Sequence, residues 1–175
     1  MLFTNLKTER LLLKNISTTD REFIFSQFSD DVVNRHLFDA EPLIDIQGAD
    51  EIIEFYVQPE PRLQHRWIIA RESDGEKIGT CGFHCWNLKN STVDVGYDLK
   101  EKYWGKGYML EVMREVISFA KDKMHVKEIR ACIYVDNQKS IHLVENLGFA
   151  MSGTYYESFR GKEYLHNIYS LYLPQ

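Results

Sequence analysis

The sequence has few cysteines, few prolines and no long apolar run, and each absence excludes a class of protein. Its three cysteines, Cys81, Cys85 and Cys132, are an odd number, so free thiols in a reducing compartment are expected rather than a disulfide framework. No run reaches the roughly 18 apolar residues that a membrane-spanning helix needs, and residues 1–9 lack the charged-then-apolar pattern of a signal peptide. We therefore expect a cytoplasmic protein that does not act at a membrane.

A broad excess of positive charge is also missing. The formal net charge is -5, with 21 Lys and Arg against 26 Asp and Glu, whereas proteins that grip nucleic acid present a basic face to its phosphates. Metal-ligand spacing is missing too, because Cys81 and Cys85 have no second Cys or His pair to complete a set of zinc ligands. We expect neither nucleic acid nor a metal ion as a partner.

The composition and patterning that are present indicate one folded domain covering residues 1–175. Hydrophobic residues make up 44% of the chain and charged residues 27%, and no repeat or Gly/Ser-rich linker divides it. Apolar runs and alternation predict strands at 6–15, 67–72, 78–87, 92–99 and 128–135, and a hairpin at 153–160 and 164–173. Apolar spacings of three and four residues, with capping signals, predict helices at 19–29, 31–37, 47–57, 110–124 and 140–147. This order indicates an α+β protein with a mixed sheet.

The most informative segment joins a predicted strand to a predicted helix and reads Lys102-Tyr103-Trp104-Gly105-Lys106-Gly107-Tyr108-Met109-Leu110. A helix N-terminus leaves about four backbone N–H groups without partners and carries partial positive charge, so it attracts phosphate oxygens. The two glycines let the backbone close on an anion, and the two lysines add local positive charge. The spacing fits neither a Walker A loop nor a dinucleotide fingerprint, and a simple tight turn remains an alternative for two glycines.

This segment resembles the acetyl-CoA pyrophosphate loop, Gln/Arg-x-x-Gly-x-Gly/Ala, of the GNAT N-acetyltransferase superfamily. Further segments in matching order resemble its ribosomal-protein-alanine (RimJ/RimL-type) branch: Thr8-Glu9-Arg10-Leu11-Leu12-Leu13, Val95-Gly96-Tyr97-Asp98-Leu99, and Asn137-Gln138-Lys139-Ser140 leading to Leu147-Gly148-Phe149. Lys102 departs from the usual Gln or Arg but keeps a positive charge. The resemblance implies the GNAT acyl-CoA N-acyltransferase fold, with a mixed, mostly antiparallel central sheet flanked by helices.

The resemblance also implies acetyl-CoA as co-substrate and transfer of its acetyl group to a primary amine by direct attack in a ternary complex, without a metal. The residues implied to bind acetyl-CoA are Val95, Gly96, Tyr97, Trp104, Gly105, Lys106, Gly107, Tyr108, Met109, Leu110, Asn137 and Ser140. The strand 94–99 is expected to run along the pantetheine arm. If the family's β-bulge falls at Gly96, the Val95 N–H is the natural donor to the oxyanion.

Candidate catalytic residues follow from the needs of the leaving thiolate and of the amine. Many superfamily members place a Tyr seven residues after the Asn of the last helix, but that position here is Val144. The branch instead has a Ser three residues after the Asn, so Ser140 is the candidate proton donor, with helix capping as its alternative role. Asp94 and His84 are the candidate bases and Glu72 a third choice; water can suffice for an α-amine, whose pKa is near 8.

The acceptor stays open between a protein or peptide N-terminal α-amine and a small-molecule amine. A non-catalytic acyl-CoA-binding or sensing module is the alternative function, and a small phosphate-binding domain that acts through protein partners is a third. The sequence also leaves open which residue is the base and whether the chain forms a homodimer.

Overall fold

A computed structural model describes residues 2–174 of the chain, and its eight strands form one mixed sheet in the order β1-β2-β3-β4-β5-β6-β8-β7. The strands are β1 (Leu6–Lys7), β2 (Leu11–Asn15), β3 (His65–Arg71), β4 (Lys77–Asn87), β5 (Thr92–Leu99), β6 (Glu128–Tyr134), β7 (Ala150–Phe159) and β8 (Lys162–Tyr172). The helices are α1 (Arg21–Phe28), α2 (Asp31–Asn34), α3 (Ile46–Tyr56), α4 (Tyr108–Asp122) and α5 (Gln138–Asn146). The predicted α+β architecture with a mostly antiparallel mixed sheet is confirmed.

The N-terminal region differs from the prediction of one long strand. The segment 6–15 is a tight hairpin, in which β1 and β2 pair antiparallel and the Thr8 N–H donates to the Leu11 carbonyl at 2.9 Å. The helix predicted at 19–29 begins at Arg21 after a 3-10 turn, and the helix predicted at 31–37 ends at Asn34. These differences move element boundaries and leave the order of the elements as predicted.

Helices cover both faces of the sheet because neighbouring residues of a strand point to opposite faces. On β3, Ile69 packs in the larger core, which α4 completes with buried residues such as Val112 and Val116. Its neighbour Ile68 packs in a smaller core with α1 and α3. Of the residues whose three-and-four spacing predicted this helix, Met113 and Ala120 are fully buried in the same core, whereas Leu110 and Ile117 are half-buried. The predicted apolar stripe therefore overlaps the face of α4 that covers the sheet without matching it residue for residue.

The sheet forks between its two parallel strands, and this fork positions the candidate site. The ladder between β5 and β6 has three pairs and ends at Asp94 opposite Arg130. Beyond that pair β6 continues its ladder with β8 up to Tyr134, and β5 continues its ladder with β4 up to Leu99. A gap therefore opens between the C-terminal halves of β5 and β6.

Three further observations concern the exclusions made from the sequence. Cys81, Cys85 and Cys132 are free thiols. Within residues 2–174, no group of three or more His, Cys, Asp or Glu side chains is arranged to hold a metal ion. In the same part of the chain, no helix combines the length and apolar character needed to cross a bilayer.

Candidate functional site

A cleft of about 840 Å³ lies at the fork of the sheet. Its walls are the loop that precedes α4, the N-terminal part of α5, the free end of β5, and α2 with the residues that follow it. The predicted binding residues that line it are Tyr97, Trp104, Gly105, Gly107, Tyr108, Met109, Leu110, Asn137 and Ser140. Segments that are distant in sequence thus meet around one cavity.

The loop before α4 presents an unbroken row of backbone donors. None of the six backbone N–H groups from Gly105 to Leu110 has a hydrogen-bond partner within residues 2–174, and the first in-register bond of the helix runs from the Glu111 N–H to the Gly107 carbonyl at 3.1 Å. Gly105 and Gly107 adopt φ of 69° and 77°, which other L-residues rarely adopt. Added to the partial positive charge of the helix N-terminus, these donors form a site for an anion.

Arg10, the residue before β2, holds this loop in place. Its guanidinium donates to the Lys106 carbonyl at 3.1 Å and to the Glu111 carboxylate at 2.7 Å, and it lies 4.5 Å from the centre of the Tyr108 ring. The Lys106 side chain itself does not line the cleft. The sequence pattern included Arg10 without indicating this contact, which ties the loop to the sheet.

The cation at the cleft is not the lysine that the sequence indicated. Lys102, expected to add charge for a phosphate, pairs with Glu76 at 2.6 Å and does not line the cleft. Lys139 on α5 lines it and lies 4.0 Å from the centre of the Trp104 ring, whose N–H donates to the Leu99 carbonyl at 2.8 Å. The cation beside the loop is therefore supplied by α5.

Ser140 and Tyr97 meet inside the cleft. The Ser140 Oγ lies 2.5 Å from the Tyr97 hydroxyl. The cap of α5 is made by Asn137, whose Oδ1 accepts from the Ser140 N–H at 3.3 Å. The Ser140 hydroxyl is thus not occupied by helix capping, and burial raises the pKa of Tyr97 above its ordinary value of 10.0.

Asp94 lies at the branching point of the fork, with its side chain on the opposite face of the sheet from Val93 and Val95. The Nε and Nη2 of Arg130 contact its Oδ1 at 2.9 and 2.8 Å. Its Oδ2 has no hydrogen-bond partner in the described part of the chain. Burial raises the pKa of the Asp94 carboxyl above its usual value, although Arg130 opposes the shift.

His84 lies on the same face as Asp94 but inside a closed set of contacts, and neither residue lines the cleft. Its Nδ1 lies 3.2 Å from the Tyr56 hydroxyl and its Nε2 lies 3.3 Å from Arg66 Nη2. Because a guanidinium can only donate, it engages the Nε2 lone pair that a base would use. Burial, with a smaller effect from Arg66, lowers the pKa of His84 to about 3. Glu72, the third choice, is exposed and pairs with Lys7.

Gly96 and Val95 do not lie in a β-bulge of the ladder with β4. The pairs Gly82–Gly96, Phe83–Val95 and His84–Asp94 are in regular register, and the irregularity lies between His84 and Asn87 on β4. A Cβ at Gly96 would lie 3.1 Å from His84 Nε2, so the glycine makes room for the imidazole. Val95 is the first residue beyond the β5–β6 ladder, and neither it nor Gly96 lines the cleft.

A buried polar network behind β5 was missed by the sequence reasoning. Arg66 pairs with Asp98 at 3.3 Å, with side-chain exposures of 12% and 7%, and it donates to Thr80 at 2.6 Å. Gln27 of α1 donates to the other Asp98 oxygen at 2.7 Å. The only feature of the sequence that could have indicated this network was a charged residue next to the apolar run of a predicted strand. The network holds Asp98, the residue that follows Tyr97, in place.

Comparison with known proteins agrees with this geometry. A family model described as an acetyltransferase (GNAT) domain matches residues 10–150. An uncharacterised N-acetyltransferase of Bacillus subtilis, YoaA, is 32% identical over 177 residues, which covers 99% of each chain.

Solved structures share the fold at lower identity. The microcin C7 self-immunity acetyltransferase MccE, in complex with acetyl-CoA and AMP, superposes with a TM-score of 0.83 at 22% identity, covering 94% of this chain and 93% of that one. The spermidine N-acetyltransferase of Vibrio cholerae, in complex with CoA and spermine, gives a TM-score of 0.82 at 18% identity over 93% of this chain and 95% of that one.

Proposed function

Since the chain belongs to the acetyltransferase (GNAT) family and is an acetyltransferase, we propose that it transfers the acetyl group of acetyl-CoA to a primary amine by direct attack in a ternary complex. The observation that carries the proposal is the row of six unpartnered N–H groups from Gly105 to Leu110 at the cleft, counted within residues 2–174. The diphosphate of acetyl-CoA is a ligand that such a row of donors suits. Residues 1–175 then form a single N-acetyltransferase domain, and the expected location is the cytoplasm.

The residues at the cleft fit the rest of acetyl-CoA as well. Lys139 supplies a cation beside the phosphate loop, and Tyr97 and Leu99 line the cavity along β5. Beyond Asp94 the edge of β5 that faces β6 has no ladder partner in the described part of the chain. The amides of the pantetheine arm can pair with that edge as an added strand would, and the thioester then reaches the branching point of the fork.

The reaction needs a neutral amine and a donor for the oxyanion. Of the two candidate bases, Asp94 has the stronger support, because its Oδ2 is unpartnered within residues 2–174 and its pKa is raised, whereas the Nε2 of His84 is engaged by Arg66. An acceptor that approaches from the Asp94 face meets the thioester at the fork. The Val95 N–H, at the first position past the ladder, is the proposed oxyanion donor.

The acceptor class is proposed on the sequence segments that resemble the ribosomal-protein-alanine branch: an N-terminal α-amine of a protein or peptide, with small-molecule amines as the second class. An α-amine has a pKa near 8 and is partly neutral already. An α-amine therefore suits a site whose candidate base is a carboxylate paired with Arg130. Part of the amine is already neutral, so the base has to deprotonate only the remaining ammonium form. A lysine-like amine would demand a stronger base.

Calorimetric titration with acetyl-CoA, CoA and ADP, followed by a free-thiol assay with peptides, polyamines and amino acid amides, tests this function. We expect both CoA forms to bind more tightly than ADP and one acceptor class to release thiol above the acceptor-free rate. Tight CoA binding with no acceptor-dependent release from any amine would favour an acyl-CoA sensor. Failure of both CoA forms to bind would refute the proposed function.

A further inference from the structure

The hydrogen bond between Tyr97 and Ser140 crosses the fork of the sheet at the cleft. Tyr97 lies on the part of β5 beyond the ladder with β6, and Ser140 lies in the first turn of α5, which follows β6. Both side chains line the cleft, and their hydroxyl oxygens are 2.5 Å apart. The two walls of the fork are thus joined by a pair of neutral hydroxyl groups.

The protons of this pair determine what it can do. Two hydroxyl groups carry two protons, and one of them is used in the bond between them. Neither hydroxyl has another hydrogen-bond partner within residues 2–174. One donor proton is therefore left without a partner, at a cavity wall where it can meet a bound molecule.

The chemistry of the two groups sets the direction of the bond. A phenol is the stronger hydrogen-bond donor and an aliphatic hydroxyl oxygen the stronger acceptor, so Tyr97 donates and Ser140 accepts. Burial raises the pKa of Tyr97, which keeps the phenol protonated and able to donate at neutral pH. Accepting from Tyr97 polarises Ser140, whose own proton becomes the unpartnered one. The helix cap is made by Asn137, which leaves the Ser140 hydroxyl available.

The resemblance already makes Ser140 the candidate donor to the leaving group. We infer that Tyr97 is the residue that positions and polarises Ser140, so that the two act as one unit while Ser140 donates a hydrogen bond to the thioester sulfur as the C–S bond breaks. The inference rests on the proposed function. The amine nitrogen forms the new C–N bond and loses a proton to the base or to water, and the electron pair of the C–S bond goes to sulfur. The thiolate, stabilised by Ser140, takes up its proton from solvent. Val144 occupies the α5 position at which many superfamily members carry a tyrosine, and it is fully buried in the core. In this chain the tyrosine that contacts Ser140 is therefore supplied by β5.

A double-mutant cycle in the free-thiol assay tests whether the two residues act as one unit. We expect Ser140→Ala to lower kcat about 10- to 100-fold, with KM for acetyl-CoA within twofold, because a hydrogen bond to a developing charge is lost. Tyr97→Phe should lower kcat about fivefold to tenfold, and Ser140→Thr should retain most of the activity. In the Ser140→Ala background, Tyr97→Phe should change kcat by less than twofold, because its partner is already absent.

A matched control and a binding measurement separate this role from a structural one. Tyr169→Phe removes a phenol hydroxyl from a buried tyrosine that does not line the cleft, and kcat should stay within twofold. Calorimetry should show that the wild-type protein binds CoA about fivefold more tightly than desulfo-CoA and that Ser140→Ala reduces this preference below twofold. This second measurement needs no turnover, so it judges the pair even if no acceptor is found. Multiplicative effects of the two substitutions on kcat, or an unchanged preference for CoA, would refute the inference.

Discussion

Replacing Gly107 with a negatively charged residue tests whether the loop before α4 binds phosphate. Gly107→Asp introduces the charge, and Gly107→Asn, which has nearly the same shape without the charge, is the control. Gly107 is the N-cap of α4 at φ 77°, a conformation that Asn and Asp tolerate better than other L-residues. A Cβ there would meet Arg10 Nη2 at 3.5 Å, which is an ordinary contact. Both Gly107→Asn and Gly107→Asp should therefore fold.

The two variants should differ in their affinity for CoA because only one adds a charge. At about 5 Å and an effective dielectric constant near 20, two unit charges interact with about 3 kcal/mol. Repulsion of that size between the carboxylate introduced by Gly107→Asp and a diphosphate raises Kd by up to roughly 100-fold. The neighbouring Arg10 guanidinium, which already pairs with Glu111, offsets part of the added charge. Because the two introduced side chains have nearly the same size and shape, the ratio of the variants' Kd values reports the electrostatic effect of the added charge.

Calorimetric titration of the two variants with CoA measures that ratio, and thermal melting checks that they fold equally well. We expect the ratio to be about 10 to 100 at low salt and to shrink as added salt screens the charges. The melting temperatures should agree within a few degrees, because a difference of about 1 kcal/mol shifts the melting temperature of a chain of this size by about 2–4 °C. Equal Kd values for the two variants would show that the diphosphate does not lie against residues 105–110.

Three other changes test the parts that surround the loop and β5. Arg10→Ala removes the donors that hold the Lys106 carbonyl and the Glu111 carboxylate, so Kd for CoA should rise about tenfold in calorimetry, and an unchanged Kd would show that the loop keeps its shape alone. Asp98→Ala leaves a buried guanidinium without its counter-charge, so urea unfolding should show a loss of about 3–5 kcal/mol; a loss below about 1 kcal/mol would contradict the buried pair. Burial lowers the pKa of His84 from 6.5 to about 3, so between these values the unfolded chain binds more protons and the free energy of unfolding should fall as the pH falls. His84→Gln should flatten part of that slope, and a slope identical to that of the wild-type protein would contradict the buried, neutral imidazole.

The features that were predicted correctly from the sequence depend on residues that are close together in the chain. The spacing of apolar residues in α4 places Met113 and Ala120 in the core, and the two glycines before the helix adopt the left-handed conformation that their residue type favours. The hairpin of β1 and β2 was read as a single strand because the apolar run Leu11–Leu13 gives no signal for a turn at Thr8. Periodicity locates an apolar face more reliably than it locates the end of an element.

The features that the sequence did not predict join residues that are far apart in the chain. Arg66 and Asp98 are on separate strands, and their burial as a pair follows from the register of β3 with β4 and of β4 with β5. A sequence window contains each charge but not its partner, so each is read as a solvated residue. The same limit affected Lys102 and Lys139, because only the folded chain shows which lysine is neutralised by Glu76 and which lies over Trp104.

The fork of the sheet explains how a tyrosine of β5 can orient a serine of α5 at one cavity. At position 144 a side chain of α5 is packed into the core and contributes nothing to the cleft. Tyr97, on the opposite wall, reaches the same cavity because β5 leaves its ladder with β6 after Asp94, before the strand arrives at the tyrosine. Its hydroxyl then meets Ser140 across the gap. In the proposed unit the donor beside the sulfur is Ser140 of α5, and the residue that orients it is Tyr97 of β5. The choice of this tyrosine is therefore set by the width of the gap and by the side chains that span it, which a motif confined to α5 does not describe.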